Sequence, residues 1–379
     1  MSYKVDDIQI IKSIGKGSYG EVFLSQKKGI NAYLATKKMD RKIYENPNFF
    51  KRLFNELNII MVVNHPNIIK YIDFKKTLNN FYLVTEFVNG GSLGDNLKKY
   101  INMYRKPFSE EITQHLMRQI VDALKYLHFN NIIHRDLKLD NILVNYQNEY
   151  DRQYVNLKNC QIKLIDFGFA TMLHKKGEMA FTVLGTPNNM DPKILDAINK
   201  GYVVGYNSKV DIWSLGTICY EMVVGCSPFR GISMEDLNQK VQKGNYVLPM
   251  TLSEEIVSFI NQMLQQDENI RADAKTLLNH PFLVNPVNSF HPVDVRKIQA
   301  NYLPGGLISM ESKQQQINNN INNQYNVWSV FNQIGINQGG AISTNQQIPK
   351  AFQNKINPQI QVQQPGIYSH FDVQNFQHY

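Results

Sequence analysis

The chain changes character near residue 284, and that break bounds what it can fold into. Before it, apolar runs alternate with turn residues at the spacing of packed elements. After residue 310, Asn and Gln make up 27 of the last 69 residues, and only five of those 69 are charged. Such a segment buries too little apolar surface to offset its ordering entropy, so it is read as a disordered tail with a tendency to self-associate. Tyr325, Trp328, Phe331 and Phe352 are scattered through it, either as a binding motif or as the aromatics that make such tails adhesive. The 379 residues in all are enough for one large domain plus an appendage, or for two ordinary domains.

Composition narrows the class. With 43% hydrophobic and 19% charged residues, global disorder and collagen-like order are excluded. Cys160, Cys219 and Cys226 are too few for a disulfide framework and form no Cys-x-x-Cys pair, which points to a reducing, cytoplasmic setting without structural zinc. The start, Met-Ser-Tyr-Lys-Val-Asp-Asp, has no apolar leader. The richest apolar stretch, 212–224, is short and interrupted by Ser214 and Glu221, so no transmembrane segment is expected. A net charge of +8 arises from basic residues spread along the chain, so nucleic acid is not an expected partner.

Periodicity orders the elements. Residues 8–15 and 21–25 read as strands flanking a glycine turn, and 32–39 as a third. Leu53, Leu57, Ile60 and Met61 recur at helical spacing within 50–63. Two more strands, 68–74 and 81–87, are joined by a turn at Leu78-Asn79-Asn80. Beyond residue 92 helices dominate. The span 109–129 carries Ile112, Leu116, Ile120, Ala123, Leu124 and Leu127 on one stripe, with Ser109 as its N-cap. The pattern predicts an α+β chain, a small β-rich lobe followed by a larger helical lobe.

Gly15-Lys16-Gly17-Ser18-Tyr19-Gly20 matches G-x-G-x-x-G, in which missing Cβ atoms let backbone amides approach phosphates. In dinucleotide-binding folds the motif opens a helix. Here Glu21-Val22-Phe23-Leu24 continues as a strand, so that reading loses, while an ordinary Gly-rich hairpin stays open. Further motifs decide. Ala35-Thr36-Lys37, Glu56, His65-Pro66-Asn67-Ile68, His134-Arg135-Asp136-Leu137-Lys138-Leu139-Asp140-Asn141 and Asp166-Phe167-Gly168 follow in that order. Together they resemble the eukaryotic protein kinase family over residues 8–283, about three quarters of the chain. Lys38 rivals Lys37, but residues two apart on a strand share a face, which puts Lys37 beside Ala35.

The resemblance implies a bilobal protein kinase fold, with a small lobe at 8–86, a hinge at 87–91 and a large lobe at 92–283. A linker at 284–310 and the tail at 311–379 would follow. It implies ATP and Mg2+ as cofactors. Ile14, Gly15, Lys16, Gly17, Ser18, Tyr19 and Gly20 would cover the phosphates, and Lys37, steadied by Glu56, would hold them. Asn141 and Asp166 would bind magnesium. Asp136 would accept or orient the substrate hydroxyl proton, and Lys138 would neutralise charge on the moving phosphoryl group. Val22, Ala35 and Leu143 would enclose adenine, with Thr85 as gatekeeper, Glu86 and Val88 offering hinge backbone, and Ser92 near the ribose. For Val22 and Leu143 a plain core role asks for the same aliphatic side chain.

Lys138, two residues after Asp136, resembles the serine/threonine branch, so the implied partner is a protein bearing an acceptor Ser or Thr. Arg135 implies control by activation-loop phosphorylation at Thr182, through an upstream kinase or autophosphorylation, and without that phosphate Arg135 would be an unpaired cation. Thr186 is read as a contact of Asp136 and Lys138. Asn89-Gly90-Gly91-Ser92-Leu93, the polar insert 145–158 and Asp166-Phe167-Gly168-Phe169-Ala170 resemble the autophagy-initiating kinases related to the Unc family. Two positions depart from the family pattern. Asp191-Pro192-Lys193 replaces Ala-Pro-Glu, setting Lys193 against Arg271 unless Asp191 becomes the partner, and Asn189 replaces an aromatic in the substrate-docking loop. A non-catalytic kinase-fold scaffold, or an assembly protein acting through its tail, is the alternative.

Overall fold

Residue parity along one strand decides which side chains of the small lobe face its helix. The structure, a computed structural model, describes residues 3–287, apart from 18–19, 174, 176 and 182–184. The tail and most of the linker lie outside the described residues. Six strands, β1 (Tyr3–Val5), β2 (Ile8–Gly17), β3 (Gly20–Lys27), β4 (Leu34–Asp40), β5 (Tyr71–Lys76) and β6 (Asn80–Glu86), form one antiparallel sheet in the order β1-β2-β3-β4-β6-β5. Across β4 and β6, Ala35 lies opposite Thr85, Lys37 opposite Leu83 and Met39 opposite Phe81. Opposed residues share a face. Met39, Phe81 and Leu83 accordingly pack on Leu53 and Leu57 of α1 (Pro47–Ile60). Leu34, Tyr82 and Val84 face the other way, against Val5, Ile8 and Ile10.

The span 68–74, expected as one strand, divides. Tyr71 onward joins the small-lobe sheet, whereas Ile68 forms a parallel bridge with Leu164, and Ile69 N donates to Leu164 O at 2.9 Å. Just before it, Asn67 Nδ2 donates to Gln119 Oε1 at 2.8 Å and to Ile162 O at 3.1 Å. These residues stitch the base of the small lobe to the large one.

The large lobe contains α2 (Leu93–Tyr104), α3 (Glu110–Phe129), β7 (Ile132–Ile133), β8 (Ile142–Asn145), α4 (Glu149–Gln153), β9 (Gln161–Leu164) and β10 (Thr171–Met172). It continues with α5 (Pro192–Lys200), α6 (Lys209–Val224), α7 (Met234–Lys243), α8 (Glu254–Met263), α9 (Ala274–Leu278) and α10 (Pro281–Val284). Ser109 Oγ accepts from Ile112 N at 3.3 Å, and the apolar stripe of α3 is buried, as its spacing predicts. The polar insert supplies α4, capped by Asn148. α6 has no polar face: thirteen of its sixteen residues are buried, which places it inside the lobe. No described helix is long and apolar enough to cross a membrane. A curled antiparallel lobe beside a helical one is the bilobal α+β fold that the sequence pattern predicts.

The anomaly at Lys193 resolves by a relocation of charge. Asp191 caps α5, with Oδ1 accepting from Lys193 N at 2.9 Å. Its Oδ2 accepts from Arg271 Nη1 at 2.5 Å, in a pair whose side chains are 2% and 1% exposed. Arg271 also donates to Gln265 O at 2.9 Å and Lys209 O at 2.8 Å, and its guanidinium lies 5.2 Å from the Trp213 ring centroid. Lys193 does not confront Arg271. Its Nζ pairs with Glu268 at 3.0 Å, so each cation has its own carboxylate. Removing one partner of a buried pair strands the other charge, so Asp191→Ala is expected to cost about 3–5 kcal/mol in chemical denaturation. Lys193→Glu, which sets a carboxylate against Glu268, is expected to cost about 1 kcal/mol instead of restoring a family contact. A Lys193→Glu variant more stable than wild type would contradict this arrangement.

Candidate active site

The small lobe brings a glycine hairpin and one lysine. β2 and β3 pair as far as Gly17 and Gly20, with register shifts between Ile10 and Lys12 and between Ser13 and Gly15 that bend the ribbon. Ile14, Gly15, Lys16 and Gly17 are exposed, and Ser18 and Tyr19 lie outside the described residues. Gly20 is needed for space, because a Cβ there would stand 2.2 Å from Lys38 O. Val22 lies opposite Lys37, so Val22, Ala35, Lys37 and Thr85 share one face. Lys37 Nζ is 3.6 Å from Glu56 Oε1 on α1. Burial pushes the Glu56 carboxyl above its usual range; the Lys37 charge opposes that rise and the Asp166 charge adds to it. Lys38 is on the opposite face, across from Glu21 and Tyr82.

Thr85 and Glu86 end β6, where Thr85 Oγ1 donates to Glu86 O at 3.2 Å, and Val88 is buried just beyond. Ser92 caps α2 by accepting from Asp95 N at 3.0 Å, so its hydroxyl is already engaged. The same residue bridges to Leu143, which joins the start of α2 to β8.

The large-lobe half is hung from Asp211 of α6. Asp211 accepts from His134 N at 2.9 Å, Arg135 N at 2.8 Å and His128 Nε2 at 2.8 Å. Complete burial opposes its ionisation, yet the His128 hydrogen bond, nearby histidine charge and the Arg135 amide hold its carboxyl below the usual range. Asp136 is 3% exposed and crowded with donors. Thr186 Oγ1 reaches Oδ1 at 2.7 Å, Lys138 Nζ reaches Oδ2 at 2.8 Å, and Asn141 Nδ2 reaches Oδ2 at 2.9 Å. Burial raises its pKa, but the Lys138 and Thr186 hydrogen bonds and the Lys138 charge prevail, and the carboxyl stays below its usual range. Ile165 N donates to Asn141 O at 3.0 Å, which sets Asp166 beside this loop. The His134 ring lies 5.2 Å from the Phe167 ring. Asp166 has φ 65°, in the left-handed region that side chains avoid unless their surroundings hold them there.

Arg135 is not the unpaired cation expected of it. It donates to Phe169 O at 2.5 Å, Ala170 O at 3.2 Å and Tyr206 Oη at 3.0 Å, all neutral acceptors. Thr182 is outside the described residues. Sequence reasoning missed Arg52, whose guanidinium lies 4.8 Å from the Phe169 ring centroid and 5.6 Å from that of Phe49. Its place one turn before Glu56 on the same helix face was the available signal. His128 was also missed, and nothing local marks it. Beside Asp136 a small cavity of about 10 Å³ is lined by Thr186, Asn189, Met190, Ile194, Val210 and Ser214. Asn189 is tied to α6, with Nδ2 donating to Thr217 Oγ1 at 2.7 Å and its carbonyl accepting from Ser214 Oγ at 2.6 Å.

The chain has relatives of known class. A model of the protein kinase domain matches residues 8–283. Serine/threonine-protein kinase PLK4 of Danio rerio is 31% identical over 280 residues, covering 74% of this chain and 27% of that protein. PLK4 of Drosophila melanogaster is 29% identical over 287 residues, covering 76% and 34%, and PLK4 of Aedes aegypti is 29% identical over 280 residues, covering 74% and 34%. The match thus spans about a third or less of the length of these relatives. The resemblance to Unc-type, autophagy-initiating kinases finds no support among them. By the matched domain and its two-lobed fold, the chain belongs to the protein kinase family.

Proposed function

We propose that the chain is an active, ATP-dependent protein serine/threonine kinase that transfers the γ-phosphoryl group of ATP to a Ser or Thr hydroxyl of a protein. The observation that carries the reading is the surrounding of Asp136. Its carboxyl is held ionised among Lys138, Thr186 and Asn141. In the transfer, the acceptor oxygen bonds to the γ-phosphorus as the bond to the ADP oxygen breaks. The hydroxyl proton passes to Asp136. Lys138 meets charge on the moving group, and Lys37, steadied by Glu56, holds the preceding phosphates under the glycine hairpin.

Asp166 and Asn141 offer hard oxygen donors that suit magnesium. Because Asn141 Nδ2 donates to Asp136, Oδ1 is the atom this side chain offers a cation. Bound magnesium supplies positive charge against the phosphate oxygens. Val22, Ala35 and Leu143 enclose the base under the Thr85 gatekeeper, and Glu86 and Val88 present hinge backbone to it. Working boundaries are 8–86, 87–91 and 92–283. A cytoplasmic setting agrees with the free thiols of Cys160, Cys219 and Cys226. Phosphate on Thr182 would offer Arg135 a charge-assisted acceptor in place of the neutral oxygens it now holds.

Two measurements test the reading. In a radiolabelled ATP assay with magnesium, Lys37→Met is expected to lower transfer by at least about a hundredfold, with Lys38→Met within about threefold of wild type. The reverse order would mean that β4 presents its other face. Thr182→Ala, and phosphatase treatment of wild type, are each expected to lower activity by about tenfold or more. Equal activity before and after phosphatase would remove Thr182 from the account.

A further inference from the structure

One buried cation of the large lobe has no part in this scheme. Lys163 lies in β9 opposite Leu143 of β8, and so shares a face with it. Ile162 and Leu164 point the other way, into the core. The Lys163 side chain is 9% exposed, an expensive place for an ammonium unless it is paired. Its partner is Glu86, the last residue of β6, at 2.8 Å. The same oxygen, Oε1, accepts from Lys70 N at 2.8 Å, while Glu86 N donates to Lys70 O at 3.0 Å. Lys70 ends the short segment that Ile68 and Ile69 join to Leu164. Glu86 is therefore gripped from both lobes, and the strand that grips it runs directly through Leu164 and Ile165 into Asp166.

We propose that Lys163 is a positioning residue for the nucleotide. By holding the Glu86 carboxylate it fixes the backbone where β6 turns into the hinge, and it ties that backbone to the strand carrying Asp166. The inference rests on the kinase reading, in which this hinge backbone meets the base. Without the ammonium, Glu86 keeps one amide donor and the turn gains freedom. A bound nucleotide must then order it, which weakens binding with little effect on the chemical step.

The full chain is tested as wild type, Lys163→Met, Lys163→Arg, Glu86→Gln and the double variant Lys163→Met/Glu86→Gln. A fluorescent ATP analogue with magnesium gives Kd, and dephosphorylated casein as acceptor gives KM for ATP and kcat. Lys163→Met is expected to raise Kd and KM about tenfold with kcat within about threefold. Lys163→Arg should recover most of the loss, and the double variant should be no weaker than Lys163→Met, because both changes remove one contact. An unchanged Kd with a lowered midpoint of thermal unfolding would make the pair merely structural and overturn the proposal. So would Lys163→Arg binding no better than Lys163→Met. A wild type that binds nucleotide but transfers no phosphoryl group would overturn the kinase reading, and the Kd comparison would still decide the role of Lys163. A wild type that binds no nucleotide would overturn both.

Discussion

The carboxylate of Asp211 sits inside the large lobe with no access to water and accepts two consecutive backbone amides, those of His134 and Arg135, in the loop that carries Asp136. Those two bonds hold Arg135 at φ 68°, a conformation costing about 1–3 kcal/mol for a residue with a side chain. Hydrogen bonds to a charged group contribute about 1.5–3 kcal/mol each, so the amides and His128 together outweigh the strain. Because α6 is buried on nearly every side, close packing fixes where that carboxylate stands. The loop inherits its precision from the core. Asp136, Lys138 and Asn141 then need only short-range bonds among themselves to complete the arrangement.

The same economy explains the departures at the base of the lobe. A family that closes this region with a glutamate after proline finds here a lysine, yet Arg271 still meets one buried carboxylate and three acceptors in all. The acid has moved two residues earlier, onto the cap of α5, where one oxygen serves the helix terminus and the other the guanidinium. The displaced lysine is exposed enough to settle on Glu268. None of these groups belongs to the Asp136 cluster, which is why a substitution alarming in sequence leaves its geometry whole.

Much of this was legible in the chain because local chemistry and global fold agree. The stripe on α3, the Ser109 cap and the opposite faces of Lys37 and Lys38 all follow from period and parity. β1 was not foreseen, since three residues are too few for alternation to show. The division of 68–74 was equally hidden: the same β-prone residues serve two partners, and only the position of Leu164, far along the chain, decides where one ends. Contacts such as His128 with Asp211 or Arg52 with Phe169 join residues that carry no shared local pattern. Tertiary packing creates them. Glu86 was legible as the end of a strand, but nothing in the sequence marks its carboxylate as held by Lys163.

The pairing of β4 with both neighbours has a consequence for how the gene can change length. The connection between β3 and β4, residues 28–33, is a surface loop whose side chains include the exposed Tyr33. Gain or loss of a codon there alters a loop, at a cost that grows only slowly with its length. One codon inserted between Leu34 and Lys37 would instead exchange the two faces of the rest of β4, turning a neighbour of Glu56 outward and burying its adjacent lysine's charge against α1. Lineages descending from this sequence should therefore show indels freely on one side of Leu34 and none for several residues on the other.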